Sequence, residues 1–166
     1  GSKKRVQLLG SGAILREVLQ ASQILQAEFG VFSEVFSVTS FNELKRDGDS
    51  VLRWNRLNPD QPARQTHVEA CLGERGLPVI AATDYIKLYA DQIRAQIHGR
   101  YDVLGTDGFG RSDTREKLRR HFEVDRFAIA YTALQALAQD NVIGLDIVLD
   151  ARKRWNIDPD SPEPVN

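Results

Sequence analysis

The sequence predicts an α/β fold, a mostly parallel sheet covered by helices on both faces. Three observations predict it. Short apolar runs at Val6 to Leu9, Val35 to Val38, Pro78 to Thr83 and Tyr101 to Leu104 lack the polar alternation of a half-solvated strand. Each gives way to a segment with helical signals, so strands and helices take turns along the chain. The length, 166 residues of which 42% are hydrophobic, suffices for one core without disulfides or metal.

Arg5 to Leu9 is the first predicted strand, and Gly10-Ser11-Gly12 turns it into a helix running to about Phe29. Ile14, Val18, Ala21, Leu25 and Phe29, with Leu15, Leu19 and Ser22 beside them, make the apolar face of that helix. Gly30 stands where a left-handed cap ends a helix. The second strand, with Val35, Phe36 and Val38, stops at Thr39-Ser40, and Ser40 with Glu43 reads as a capping box. The helix it opens carries Phe41, Leu44, Val51, Leu52 and Trp54, with a weak point at Asp47-Gly48-Asp49. Asn55 to Gln65 reads as irregular, and a short helix from about Thr66 to Leu72 follows. The third strand ends in Thr83-Asp84, after which Ile86, Tyr89, Ile93 and Ile97 predict a third long helix.

The fourth corner carries the strongest local signals. Tyr101, Val103 and Leu104 form a buried strand, and Gly105 to Gly110 leads it into a helix that Asp113 and Glu116 open as a capping box. From Asp125 the chain is predicted helical, with Val124 and Ile129 as a hydrophobic staple about an Asp125 cap and Phe127, Ala130, Tyr131, Leu134 and Leu137 facing the core. A last helix runs from about Gly144 to Trp155. Residues 3–157 are expected to form one domain, and 158–166, with Pro159, Pro162 and Pro164, an extended mobile tail. Strand order is not legible from the sequence.

Charge excludes some functions. With 22 basic against 23 acidic residues the net charge is −1, which gives no field to gather nucleic acid or an anionic membrane. Cys71 is the sole cysteine, so no internal disulfide exists, and a reducing, cytoplasmic setting is expected. No apolar run reaches the roughly 18 residues of a membrane span. Gly1-Ser2 opens a chain with no methionine that enters a strand almost at once, which predicts a piece of a longer polypeptide.

Two predicted strands end in the same pair, Thr83-Asp84 and Thr106-Asp107, at the edge where α/β sheets bind ligands. Acids there suit a hard cation, and the Gly108 to Gly110 amides suit an anion. Capping and turn formation explain the same residues more economically. Neither glycine loop is a nucleotide fingerprint, because Leu15 and Asp113 stand where the third glycine belongs. Ser11 and Ser40 sit at helix starts, with no nucleophile elbow. His67, His98 and His121 show no metal spacing among themselves or with Cys71, which reads as a small buried hydrophobe, and His121 reads as a helix-end cation. Arg111, Arg115, Lys117, Arg119 and Arg120 form the densest basic cluster. Two readings of it stand open, a solvated helix face and a protein interface built on Phe109 and Arg111.

Taken together, these stretches resemble one family, the carboxyl-terminal domain of the homodimeric, thiamin-diphosphate-dependent pyruvate dehydrogenase component of bacterial complexes. The resemblance lies in Val6 to Gly12, Val35 to Leu44, Arg53-Trp54-Asn55, Thr83 to Leu88, Leu104 to Asp113 and His121 to Asp125, and departs around Asn58 to Ala63 and in the tail. It implies a transketolase C-terminal-like domain, a three-layer α/β/α sandwich with a mixed five-stranded sheet whose antiparallel strand lies before Gly1. It also implies a parent enzyme that decarboxylates pyruvate on thiamin diphosphate with magnesium and acetylates the lipoyl group of the dihydrolipoyl acetyltransferase core. The implied partners are the preceding domains of the same chain, the second subunit of a homodimer and that core.

No catalytic, cofactor-binding or metal residue carries over. The family holds its cofactor in the preceding domains with a Gly-Asp-Gly and paired asparagines, whereas this chain has only Asp47-Gly48-Asp49 and no Asn-Asn. The domain is therefore expected to be inactive alone and to serve assembly, with Asp107, Gly108, Phe109, Gly110, Arg111, Ser112, Asp113 and Arg115 as interface candidates. The alternatives are a docking or regulatory module that binds the acyltransferase or a small anion, and a free-standing α/β protein with a ligand at Asp84 and Asp107.

Overall fold

Strands β1 (Arg5–Gly10), β2 (Phe32–Ser37), β3 (Val79–Ala82) and β4 (Tyr101–Leu104) pair in parallel in the order β2-β1-β3-β4. The structure is a computed structural model that describes residues 4–73, 76–84, 86–106 and 123–161. Leu8 of β1 stands between Val35 and Ile80, and Ala81 of β3 beside Val103. The chain leaves β1 toward β2, then reverses across β1 to reach β3 and β4. Right-handed crossovers place the helices of opposite steps on opposite faces. Accordingly α1 (Leu15–Phe29) covers one face together with α5 (Arg126–Gln139) and α6 (Leu145–Arg154). The other face is covered by α2 (Phe41–Leu57), α3 (His67–Leu72) and α4 (Lys87–Asp91).

Two apolar cores result. Val6, Leu8, Ile80 and Ala82 join the first, and Leu9, Val79 and Ala81 the second. A side chain on a central strand is buried whichever way it points, which is why these strands lack alternation. The α/β/α sandwich is thus as the sequence predicts. The described strands are all parallel, and the antiparallel strand implied by the family resemblance is not among the described residues.

Several elements depart from the sequence reading. β2 begins at Phe32, ahead of the predicted Val35, because its ladder with β1 starts at Arg5 opposite Phe32. Phe32-Ser33-Glu34 alternates in the manner of a half-solvated edge strand, and Phe32 is half exposed. Helix α2 does run through Asp47-Gly48-Asp49, as the sequence predicts. Gly48 is a close approach, since a Cβ there would overlap the buried Gln96 amide, whose Nε2 donates to the Leu44 carbonyl at 3.1 Å. The same helix reaches Leu57, into the stretch predicted irregular. Asn55 bonds Arg64 through both its amide atoms, at 3.1 and 2.8 Å, and the Arg64 guanidinium stacks on Trp54. Those residues look like loop formers but fold the following segment back onto the helix.

The predicted third long helix does not form. α4 has five residues, and a 3-10 turn, Arg94–Gln96, follows it. Ile93 and Ile97 are β-branched, and Arg94, paired with Asp91, also donates to the Tyr101 carbonyl at 2.8 Å, tying the turn to the start of β4. Gly99 then passes so close to the Leu77 and Gly76 carbonyls that any side chain would clash. Tyr101 is buried and donates to the Ala90 carbonyl, and that burial raises its pKa.

The helical ends follow their signals. Gly30 adopts φ 65° and Val31 donates to the Leu25 carbonyl, a left-handed close to α1. Asp125 accepts from the Ala128 amide at 2.9 Å as predicted. Helix α5 buries Ile129, Ala133 and Ala136 besides the predicted face, since α1, α6 and the sheet surround it. Trp155 closes α6 against Phe29 and Phe127, with ring centroids 5.6 and 5.9 Å away. Glu17, buried in the first turn of α1, accepts from Arg126 at 3.0 Å and ties α1 to the start of α5.

Helix α3 is held at its rim. Thr66 and Glu69 form a capping box, the His67 amide donates to Asp47 at 2.7 Å, and the buried Gln7 donates to the Leu72 carbonyl at 2.8 Å. His98 Nε2 lies 2.7 Å from Glu69 Oε2. The Thr66 backbone bond, then His98, hold the Glu69 carboxyl below its ordinary 4.5.

Two predictions follow from these contacts. Gly48→Ala pushes the Gln96 amide off the Leu44 carbonyl, a loss of about 1–3 kcal/mol for a buried amide, offset by the about 1 kcal/mol that alanine gains over glycine in a helix; the net cost, on the order of 1 kcal/mol, is read as a lower urea midpoint at unchanged slope. A depressed carboxylate adds stability above its unfolded value, and that stability is lost as pH falls through the folded one. Urea midpoints measured downward from pH 5 therefore fall below the usual glutamate value of 4.5. They fall less steeply in Glu69→Gln, which keeps the cap geometry.

Candidate functional site

The carboxyl edge of the sheet is where the order β2-β1-β3-β4 opens a crevice, between the loops leaving β1 and β3. Hydroxyl groups close that crevice. Ser11 Oγ donates to Thr83 Oγ1 at 2.9 Å, and both residues are buried. The Ser11 amide donates to the Ala82 carbonyl at 3.3 Å and the Thr83 amide to the Leu104 carbonyl at 3.0 Å. Thr106 Oγ1, buried at the end of β4, donates to the Asp84 carbonyl. The loops after β1, β3 and β4 are thus bonded to one another. Such an arrangement fixes loop roots and leaves these three hydroxyls engaged within the protein.

Beside it lies an open cleft of about 280 Å³ lined by Ser11, Thr39, Ser40, Phe41, Asn42 and Tyr89. Ser40 accepts from the Glu43 amide at 3.2 Å, the cap half of the predicted box, and Asn42 accepts from Gln92 at 2.9 Å. Of the two Thr-Asp pairs, Thr83, Asp84 and Thr106 meet at this edge. Asp107 and the other interface candidates, Gly108, Phe109, Gly110, Arg111, Ser112, Asp113 and Arg115, lie outside the described residues. So do the Asp113–Glu116 box, Lys117, Arg119, Arg120 and His121. Among the described residues no three His, Cys, Asp or Glu side chains gather as a metal set.

A second cleft, of about 190 Å³, opens between the β2 edge and helices α2 and α3. Its floor is Leu9, Phe36, Val38, Val68, Leu72 and Ile93, and its rim carries Ser37, Thr39, Ser40 and Glu43. His67 and Cys71 line one wall. The reading of Cys71 as buried is wrong, because Val68 and Leu72 take the inward positions of α3 and turn Cys71 outward, where it is exposed. Its Sγ lies 3.5 Å from His67 Nε2. The four-residue spacing on a helix is the sequence signal for that pair. His98 belongs instead to the Glu69 tether.

The comparisons with known proteins agree with this architecture. The Transketolase-like TK C-terminal domain family matches residues 1–125. The pyruvate dehydrogenase E1 component of Pseudomonas aeruginosa is 55% identical over 162 residues, 97% of this chain and 18% of that protein. The Escherichia coli K12 protein of the same name is 49% identical over 165 residues, 99% of this chain and again 18% of its own length. The chain therefore spans less than a fifth of these relatives. A solved structure described as a split gene transketolase, inactive beta4 tetramer, superposes with a TM-score of 0.54 over 81% of this chain and 40% of its own, at 17% identity, a likeness of fold. No described helix is long and apolar enough to cross a membrane. With residues 1–125 of its 166 inside the family's pattern, the chain belongs to the transketolase-like C-terminal domain family.

Proposed function

We propose that this chain is the third domain of a thiamin-diphosphate-dependent pyruvate dehydrogenase subunit, where it serves assembly and contributes no catalytic residue. The parent enzyme decarboxylates pyruvate in the cytoplasm and transfers the acetyl group to the lipoyl arm of the dihydrolipoyl acetyltransferase core. Residues 3–157 act as the domain, packing on the preceding domains and on the second subunit of a homodimer, with 158–166 as its tail.

The observation that carries this reading is the 55% identity to a pyruvate dehydrogenase E1 component across 97% of the chain. The sheet edge supports the division of labour. A diphosphate with magnesium needs several oxygen ligands, and the buried hydroxyls of Ser11, Thr83 and Thr106 are spent on holding loops together. Ile86, Leu88 and Tyr89 are 41, 66 and 42% exposed. They follow directly on Asp84, to which the root of the Asp107 to Asp113 segment is bonded. An apolar group on a loop edge suits a contact with another domain or subunit.

Two measurements test the reading. Calorimetry of the 166-residue chain with thiamin diphosphate and magnesium gives no binding heat, and incubation with pyruvate releases no carbon dioxide. Heat or turnover overturns the non-catalytic role. In the full-length subunit, Phe109→Ala with Arg111→Ala weakens self-association on the order of tenfold by ultracentrifugation, as loss of an aromatic and arginine anchor does. An unchanged dimer constant removes that loop from the interface.

A further inference from the structure

Resting on the assembly role and deepening it, we infer that the outer half of helix α2, residues 51–57, is a face on which an acidic segment with apolar side chains, belonging to the preceding domains, docks. Helix α2 starts at the carboxyl edge of the sheet behind its Ser40 cap, and its 17 residues span about 25 Å, against about 20 Å for a six-residue strand. The helix outlasts the sheet it covers. Phe41 and Leu44 pack in the second core, whereas Val51, Leu52, Trp54 and Leu57 belong to neither core. Leu52 and Leu57 are 49 and 56% exposed. A helix in a protein draws most of its stability from burying an apolar face, and these outer turns leave theirs half open.

Charge changes along the same helix. In its first half each cation is answered by a carboxylate one turn away, Lys45 by Asp49 at 2.7 Å and Arg46 by Glu43 at 3.0 Å. In its second half Arg53 and Arg56 are exposed, and among the described residues neither has an ion pair. Asp49, one turn before Arg53, is already held by Lys45, and the turn before Arg56 offers only Leu52 and Arg53. At about 100° per residue, Leu52, Arg56, Arg53 and Leu57 follow one another around a single face, two cations between two leucines. The Arg64 guanidinium, 3.6 Å from the Trp54 ring, and the Asn55 bonds to Arg64 brace the helix beside that face.

Magnitudes choose the occupant. A separate protein held stably buries about 1,200–2,000 Å² in all, with about 20–30 residues a side. Two leucines and two arginines supply a small part of that. Domains of one polypeptide pack through more polar interfaces from about 600 Å² upward, because the tether keeps the partner at high effective concentration. This chain is 18% of the length of its relatives, so in the proposed subunit a large tethered body is at hand. An arginine fork takes a carboxylate through two parallel bonds, which makes aspartate or glutamate beside apolar side chains the complement of this face.

Footprinting and cross-linking test it together. In the intact subunit, hydroxyl radicals are expected to oxidise Leu52 and Leu57 on the order of tenfold more slowly than in the 166-residue chain, as they do side chains in a contact that excludes water. Arg53→Lys with Arg56→Lys keeps the charge and lets a carbodiimide couple those two positions to any carboxylate touching them. In dimers mixed from isotopically light and heavy subunits, the cross-links are expected to reach aspartate or glutamate of the preceding domains within one chain. Light-to-heavy cross-links give the face to the second subunit and overturn the occupant, and the absence of any cross-link overturns its acidity. Arg53→Glu with Arg56→Glu returns leucine oxidation to the level of the 166-residue chain, and protection that survives it overturns the charge match. A subunit that releases carbon dioxide from pyruvate while Leu52 and Leu57 stay as reactive as in the shorter chain overturns this surface and leaves the proposed function standing. A native polypeptide no longer than this chain overturns the reading beneath it.

Discussion

A parallel ladder cannot be closed by hairpins, so every step from β1 to β2, β3 and β4 must travel over a face of the sheet and bury it. The apolar strands, the two cores and the clustering of loop roots at one edge all descend from that requirement. Leu8, Leu9, Ile80 and Ala81 are buried on alternate faces of neighbouring strands, so neither layer can be removed without exposing the other's floor. Each fully buried leucine or isoleucine adds about 1.5–3 kcal/mol relative to exposure, and the central strands carry several. Polar ties contribute less individually, but they determine where the loops stand.

Those ties fall into two groups by what they join. Glu17 with Arg126, and Ser11 with Thr83, connect elements 109 and 72 residues apart in sequence. They make the long-range arrangement specific. A carboxylate buried like that of Glu17 is costly when its partner is lost, so the pair constrains how α1 and α5 may pack even where it adds little net stability. The α3 capping box and the left-handed turn at Gly30 act within a few residues, and the Asn55 clamp reaches only to Arg64, so these shape the path between elements.

This division explains what could be read from the sequence. Strand and helix alternation, the Gly30 cap, the Asp125 cap and the inward face of α1 are local or periodic, and each was visible in spacing alone. The strand order was hidden because parallel pairing leaves no turn signature between partners. The helix was rightly carried through Gly48, whose reason for being glycine lies across space in Gln96. Asn55 was misread, because an asparagine near a helix end signals a break locally, yet here it clamps Arg64. The α4 region failed in the opposite direction, since its isoleucines have helical spacing while the bonds of Arg94 and the close passage at Gly99 tie the turn to the start of β4. At the candidate site, Thr83-Asp84 was legible as an edge pair. The outward turn of Cys71 was not, because a six-residue helix offers too little periodicity to orient one residue.

The two clefts share a wall, and that wall gives the site its mechanical setting. Thr39 and Ser40 line both, so the N-cap of α2 separates the apolar cleft beside Cys71 from the hydroxyl-lined cleft at the sheet edge. The bond from the Glu43 amide to Ser40 is a single cap interaction at 3.2 Å, of the kind worth about 1 kcal/mol. The sheet beneath it is fixed by the ladders of β1 with β2 and β3. The opening turn of α2 thus borders both clefts, and through the sheet-edge cleft it stands beside the loop root where Ser11 meets Thr83.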